Sequence, residues 1–258
     1  MYKFLLASFH DTEGLQLLWG TETSTYARCV DCSGTRDFYE PFLDLIHDVY
    51  GVDQCMIFLL DAESRMECLL SRNFLNNVVA APLARSYIED KYNFDPNITS
   101  LRKLHVGETQ TIHLSDTQHR MTEGYRNQFF EAPHLIDKVS ILTTDDNGSY
   151  YINFYRSQER RTFVEDKLFT NPGDGRLIAA LLTQHYRLNK SLSREGPLVF
   201  LSQRERQVCQ GILQGEKMET ISATMEIATS SVITYKKRPY AKLGINSRAS
   251  LFALCHKQ

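Results

Sequence analysis

Residues 138–157 constrain the fold more than any other stretch. KVSILTT (138–144) and SYYINFYRS (149–157) are rich in β-branched and aromatic residues, and Asp146-Asn147-Gly148 lies between them. An Asn-Gly pair supplies the positive φ angles of a tight hairpin turn, so this stretch commits the chain to antiparallel pairing. CMIFLLD (55–61) predicts a buried strand, and RMECLLSRNF (65–74) its partner across a short polar turn. Helical patterns flank the hairpins. Phe38, Phe42, Leu45, Ile46 and Val49 share one helical face, with Asp37 and Glu40 as a capping pair, Pro41 in the first turn and Gly51 at the end. Residues 83–92 predict a second helix, broken at Asp95-Pro96. Leu177, Leu181, Leu182, His185 and Leu188 mark a third, after Gly173-Asp174-Gly175. The order helix, hairpin, helix, hairpin, helix predicts a segregated α+β domain with an antiparallel sheet.

At 258 residues, with 42% hydrophobic and 23% charged residues, the chain has room for one or two domains and excludes a disordered or collagen-like polymer. No apolar run approaches the roughly 20 residues a bilayer span needs. The opening MYKFLLASFH lacks the long apolar region and cleavage site of a secretory signal. A net charge of -2 conceals an asymmetry: residues 198–258 carry 9 Lys/Arg against 4 Asp/Glu, whereas residues 1–197 carry 20 against 27. A small basic module joined to a larger acidic one points to a polyanion partner for the tail. SLSREGP (191–197), polar and closing on Gly196-Pro197, is the linker. It divides a domain of residues 1–190 from one of residues 198–258.

Six cysteines at 29, 32, 55, 68, 209 and 255 form no disulfide framework, and the sequence predicts reduced, mostly buried thiols. Cys29-Val-Asp-Cys32 has metal or redox spacing, but a closed zinc site needs four ligands and no second pair exists. No Gly-x-Ser-x-Gly, phosphate-binding loop or His-Glu-x-x-His occurs, and the eight histidines are scattered. The reading is therefore not an enzyme, with no metal and no cofactor.

The last sixty residues carry the functional signal. Ser202 and Glu205 form a capping box, Val208, Cys209, Ile212 and Leu213 give a buried face, and Gly215 suits the C-terminal turn. A short helix anchored by Ile221 and Met225 follows, then a turn at Glu226-Ile227, then a helix from about Thr229. Ser247 caps a fourth helix carrying Leu251, Phe252 and Leu254. Two short helices joined by a tight turn, the second rich in Ser, Thr and Lys, suit a helix-turn-helix. The residues Leu201, Arg204, Glu205, Val208, Gly215, Ile221, Ile227, Ser231, Val232, Tyr235, Lys242, Leu243, Gly244, Ile245, Ser247 and Arg248 resemble the LuxR-type helix-turn-helix. The resemblance implies an all-α four-helix domain that binds double-stranded DNA. Three positions depart from it: Glu226 replaces the usual turn Gly, Ala228 the usual Ser or Thr cap, and Pro239 an apolar residue inside the recognition helix. Thr229 or Ser230 must then supply the cap. Pro239 predicts a kink or an early helix end at Arg238-Pro239.

Helix phase puts Val232, Tyr235, Pro239 and Leu243 inward. Ser230, Thr234, Lys237 and Arg238 face outward, with Ser231 and Lys236 at the edges. Lys236 and Lys237 are candidate phosphate contacts, and Ser230, Thr234 and Arg238 candidate base contacts.

The N-terminal pattern is similar, more loosely, to the GAF/PAS-like or autoinducer-binding sensor domains that LuxR-type regulators carry. The local signature is Leu83-Ala-Arg-Ser-Tyr87 followed by Asp95-Pro96. The resemblance implies that Tyr87 and Asp95 face a small ligand, as in quorum-sensing regulators. Leu83 stands where the family has a Trp, and the one tryptophan of the chain is Trp19. The sequence reading is a bacterial-type, cytoplasmic transcription regulator acting as a homodimer, its N-terminal domain sensing a small molecule or mediating dimerisation. The alternative is a regulator impaired in DNA binding that titrates a protein partner, motivated by Pro239 and the missing turn glycine.

Overall fold

The computed structural model describes residues 23–75, 77–189, 197–198, 201–243 and 245–255. The opening MYKFLLASFH, Trp19, Gly244 and the linker apart from Pro197 lie outside them. Helix α1 spans 23–31. A 3-10 turn (Arg36–Phe38), helix α2 (Tyr39–Asp44) and a π-helical turn (Leu45–Val49) follow as one segment, ended by Gly51 at φ +62°. Strands β1 (Gln54–Leu60) and β2 (Met66–Asn73) come next, then α3 (Asn77–Ser86), which continues through a π-helical turn (Tyr87–Lys91) and a 3-10 turn (Tyr92–Phe94). Short helices α4 (Ile98–Leu101), α5 (Leu114–Thr117) and α6 (Glu123–Arg126) surround strand β3 (Thr109–His113). Strands β4 (Leu135–Asp145) and β5 (Gly148–Ser157) and helix α7 (Pro172–Leu188) complete the domain. Among the described residues the strands form one antiparallel sheet in the order β2-β1-β5-β4-β3. The fold is the α+β arrangement that the sequence predicts.

Both faces of the sheet are covered, which explains why every residue of β1 is buried. One face (Cys55, Ile57, Val139, Ile141, Tyr150, Ile152 and Phe154) packs against Phe38, Phe42, Leu45 and Ile46 and against Ile178, Leu182 and Tyr186 of α7. The other face (Met56, Phe58, Leu142, Tyr151 and Tyr155) packs under Ala84, Tyr87, Ile98, Leu101, Tyr125, Phe129 and Phe130. The period of two along each strand divides the two cores.

The structure corrects several local expectations. Strand β3 has a single buried residue, Ile112, too weak a pattern to register in the sequence. No side chain caps the segment that starts at Arg36, so Asp37 and Glu40 form no capping pair. Helix α3 begins at Asn77, with Pro82 inside it. In the β4–β5 turn the positive φ belongs to Gly148 at +141°, not to Asn147. Asn147 N instead donates to Asp145 Oδ1 at 2.8 Å, an Asx turn.

In α7, Leu177 and Leu188 are exposed. The buried stripe is Gly175, Ile178, Ala179, Leu181, Leu182, His185 and Tyr186. Asn171 caps this helix from Gly173 N at 2.9 Å, and Pro172 occupies its first turn. A Cβ at Gly175 would stand 2.1 Å from Thr111 Oγ1, so the glycine sets how closely α7 meets β3.

Cys29, Cys55, Cys68 and Cys209 are buried and unpaired, and burial pushes the Cys29 thiol up to about 11. Among the described residues, no helix is long and apolar enough to cross a membrane and no cluster of His, Cys, Asp and Glu is placed to hold a metal.

Candidate nucleic-acid interface and sensor core

Helices α8 (Gln203–Leu213), α9 (Met218–Thr224), α10 (Thr229–Leu243) and α11 (Arg248–Cys255) pack around Val208, Cys209, Ile212, Ile221, Val232, Tyr240, Leu243 and Leu251. The capping box at α8 forms as the sequence predicts: Ser202 Oγ accepts from Glu205 N, and Ser202 N donates to Glu205 Oε2 at 2.9 Å. Glu205 Oε2 also accepts from Lys242 Nζ at 2.8 Å, pinning the end of α10 to the start of α8. Burial works against the Glu205 carboxylate, but Lys242 and Ser202 more than offset it and hold it below the usual range.

Helices α8 and α9 end in the same way. Gly215 N donates to Ile212 O and Glu216 N to Gly211 O; Glu226 N donates to Ala223 O and Ile227 N to Ser222 O. Both are Schellman turns. Gly215 takes the left-handed conformation at φ +86°, and Glu226 does so at φ +54° despite its side chain. The turn therefore forms without the expected glycine, at a backbone cost of about 1 kcal/mol.

Helix α10 also departs from expectation. Its first donors, Ser231 N and Val232 N, go to Ala228 O. Thr229 spends its hydroxyl on Ser222 Oγ at 3.2 Å instead of capping the helix. The helix does not stop at Arg238 but runs on to Leu243, with Pro239 buried in its interior. Val232, Pro239, Tyr240 and Leu243 are buried and Tyr235 packs beside them, so tertiary packing outweighs the hydrogen bond that the proline removes.

The opposite side of α10 is open. Ser230, Thr234, Lys237 and Arg238 are exposed, and Ser231 and Lys236 are half-buried at its edges, as the helix phase predicts. Lys236 Nζ lies 5.4 Å from the centre of the Tyr240 ring, which holds the ammonium beside the helix. Ile233, which the sequence reading passed over, is 47% exposed on this side. An apolar side chain between polar ones is suited to a thymine methyl group. The signal was present: at position 233 the inward stripe skips an apolar residue.

A buried polar cluster lies under the second face of the sheet. Tyr87 and Asp95 come together there, with Tyr87 OH donating to Asp95 Oδ2 at 3.0 Å. The same oxygen accepts from Tyr125 OH and Tyr151 OH, both at 2.8 Å, and from Lys138 Nζ at 3.3 Å. Asp95 Oδ1 accepts from Asn97 N at 2.9 Å. Asn97 Nδ2 reaches Tyr151 OH at 3.2 Å and Ser140 Oγ at 3.3 Å. Ser140 Oγ in turn donates to Asn153 Oδ1 at 2.9 Å. Burial pushes the Tyr87, Tyr125 and Tyr151 hydroxyls well up, so they remain donors. Burial also raises the Asp95 carboxylate, but Lys138, Asn97 and the tyrosines prevail and hold it below the usual range. Leu83 is half-buried against this core.

Lys138, Tyr125 and Tyr151 were missed in the sequence. The available signal was parity: Lys138, Ser140 and Leu142 of β4 alternate with Val139 and Ile141, and only one of these two faces is wholly apolar.

Residues 199–255 match the family model for bacterial regulatory proteins of the luxR family (GerE). An HTH-type transcriptional regulator in the exeN 3′ region of Aeromonas salmonicida is 27% identical over 159 residues, covering 54% of this chain and 81% of that protein. Escherichia coli SdiA is similar in structure at 11% identity and a TM-score of 0.43, over 92% of this chain and 97% of SdiA. The VqsR LBD domain from Pseudomonas aeruginosa is similar at 16% identity and a TM-score of 0.47, over 64% of this chain and 98% of that domain. The family match coincides with the four-helix unit whose third helix presents Ser230, Thr234, Lys237 and Arg238 on one open side. The C-terminal part of this chain is therefore a helix-turn-helix domain of the luxR family of bacterial regulatory proteins.

Proposed function

We propose that the protein is a transcription regulator, not an enzyme, and that it binds double-stranded DNA by laying α10 in the major groove. One observation carries this: in a domain of the luxR family, one side of α10 is buried while Ser230, Thr234, Lys237 and Arg238 project from the other. Lys236 and Lys237 supply phosphate contacts and Ser230, Thr234 and Arg238 base contacts, with Ser231 at the edge of the same DNA-binding surface. One recognition helix touches too few base pairs for useful specificity, so the binding unit is a homodimer. The functional division falls at residues 191–197, with residues 1–190 sensing a small molecule around Tyr87 and Asp95 or mediating dimerisation. The alternative is a regulator that titrates a protein partner; α10 continuing through Pro239 and Glu226 closing the turn support the DNA-binding reading over it.

Gel shifts of the purified protein over a salt series and a randomised site library test the proposal. Lys237→Ala is expected to weaken all sites alike and to lower the salt slope by about one. Arg238→Ala is expected to relax preference at one base position, at about 1–3 kcal/mol. Binding that ignores salt, or equal sequence-independent losses from both variants, would refute the assigned roles.

A further inference from the structure

The sensor core holds a charge pair that the luxR-family match, which covers the other domain, does not explain. Lys138 and Asp95 are 2% and 0% exposed at their side chains, and the other polar side chains beside them, Asn97, Ser140, Asn153 and the tyrosine hydroxyls, are uncharged. An ionised carboxylate there requires a compensating cation and a full set of donors. Lys138 provides the cation from within the chain. Its Nζ lies 3.3 Å from Asp95 Oδ2, donates to Tyr151 OH at 2.8 Å, and sits 4.9 Å and 5.7 Å from the centres of the Tyr151 and Tyr155 rings. With Tyr87, Tyr125 and Tyr151 also donating to Oδ2 and the Asn97 backbone N–H to Oδ1, five donors from the chain itself surround the Asp95 carboxylate.

We propose that Lys138 is a tethered occupant of the sensor core: its ammonium takes the donor position opposite Asp95, so the N-terminal domain folds complete with no small molecule bound. This rests on the reading that Tyr87 and Asp95 mark the centre of the N-terminal domain, and of the two roles proposed for that domain it favours dimerisation over small-molecule sensing at Asp95. Emptying the position creates a site for one chemical class, a primary alkylammonium. Lys138→Ala removes Cγ, Cδ, Cε and Nζ, and n-propylammonium has those same four heavy atoms.

The test uses the full chain and thermal unfolding. Lys138→Ala is expected to melt well below the parent. n-Propylammonium chloride is expected to raise its melting temperature saturably and to leave the parent unchanged, while equal concentrations of n-propanol or sodium chloride do nothing. A folded Lys138→Ala protein indifferent to n-propylammonium, or rescued equally by n-propanol, overturns the proposal. So does a stoichiometric small molecule, found in the parent by solvent extraction and mass spectrometry, whose removal unfolds it.

If Lys138→Ala aggregates, Lys138→Met tests the same point. Asp95→Asn is expected to raise the melting temperature of Lys138→Met but to lower that of the parent, and equal lowering in both overturns the proposal. Salt-dependent DNA binding by the parent reports on the regulator assignment separately, so failure of one leaves the other legible.

Discussion

Acid is expected to loosen the N-terminal domain through His185, starting below about pH 6.5. His185 is wholly buried in α7, its ring stacked on Phe38 with centroids 4.0 Å apart. Gly34 N donates to His185 Nδ1 at 3.1 Å, which makes Nδ1 the acceptor and leaves the proton on Nε2, 3.1 Å from Tyr39 OH. Tyr39 OH in turn donates to Tyr186 OH at 3.1 Å. A second proton on Nδ1 would face the Gly34 N–H, and among the described residues no carboxylate contacts the ring to compensate. Burial accordingly pulls the imidazole down to about 4 from an ordinary 6.5.

The unfolded chain therefore binds the proton more tightly than the folded one. Stability is intact above about pH 6.5 and falls as the pH drops towards 4. The loss from this one group is about 2 kcal/mol at about pH 5 and about 3 kcal/mol at about pH 4. His185→Phe keeps the stack on Phe38 and cannot titrate. It is expected to be less stable at neutral pH by about 1–3 kcal/mol, because Gly34 N–H loses its acceptor and Tyr39 OH the hydrogen bond from His185 Nε2. Urea unfolding of both proteins from pH 7.5 to 4 should show curves that converge on acidification. Parallel curves would refute the buried, neutral Nε2–H assignment.

Three substitutions probe the C-terminal domain. Glu226→Gly should stabilise it by about 1 kcal/mol, measured by urea unfolding, because the left-handed turn no longer carries a side chain. Pro239→Ala returns a backbone donor to Tyr235 O and should stabilise the domain by up to about 3 kcal/mol, less the packing of the lost ring; DNA affinity should change only modestly, since Ser230, Thr234 and Lys237 precede the proline. Ser202→Ala opens the capping box and should cost about 1 kcal/mol in the same unfolding assay.

The parts legible in the sequence are those whose signal is local. The 202–205 capping box, Gly215, the start of α10 at Thr229 and the β4–β5 hairpin depend on neighbouring residues, and the structure places each where the pattern does. The open side of α10 follows from helical phase, because Val232, Pro239 and Leu243 are apolar enough to fix which side is buried; that Tyr240 joins them was not read from the sequence.

What only the tertiary structure decided involves residues distant along the chain. Strand β3 exists because β4 offers an edge; TQTIH alone carries almost no strand pattern. Helix α10 survives Pro239 because α8 and α9 pack against it, and local propensity counts for less than that burial. The second face of the sheet, with Lys138, Ser140 and Asn153, has the alternation of a solvated surface. It is a core because α3, α4 and α6 close over it, bringing Tyr87, Asp95 and Tyr125 onto Lys138 and Tyr151. Residue type and spacing set the helix-turn-helix, whose contacts are short in sequence. The charge of Lys138 gained its meaning from Asp95, 43 positions away, and only the closed fold places the two together.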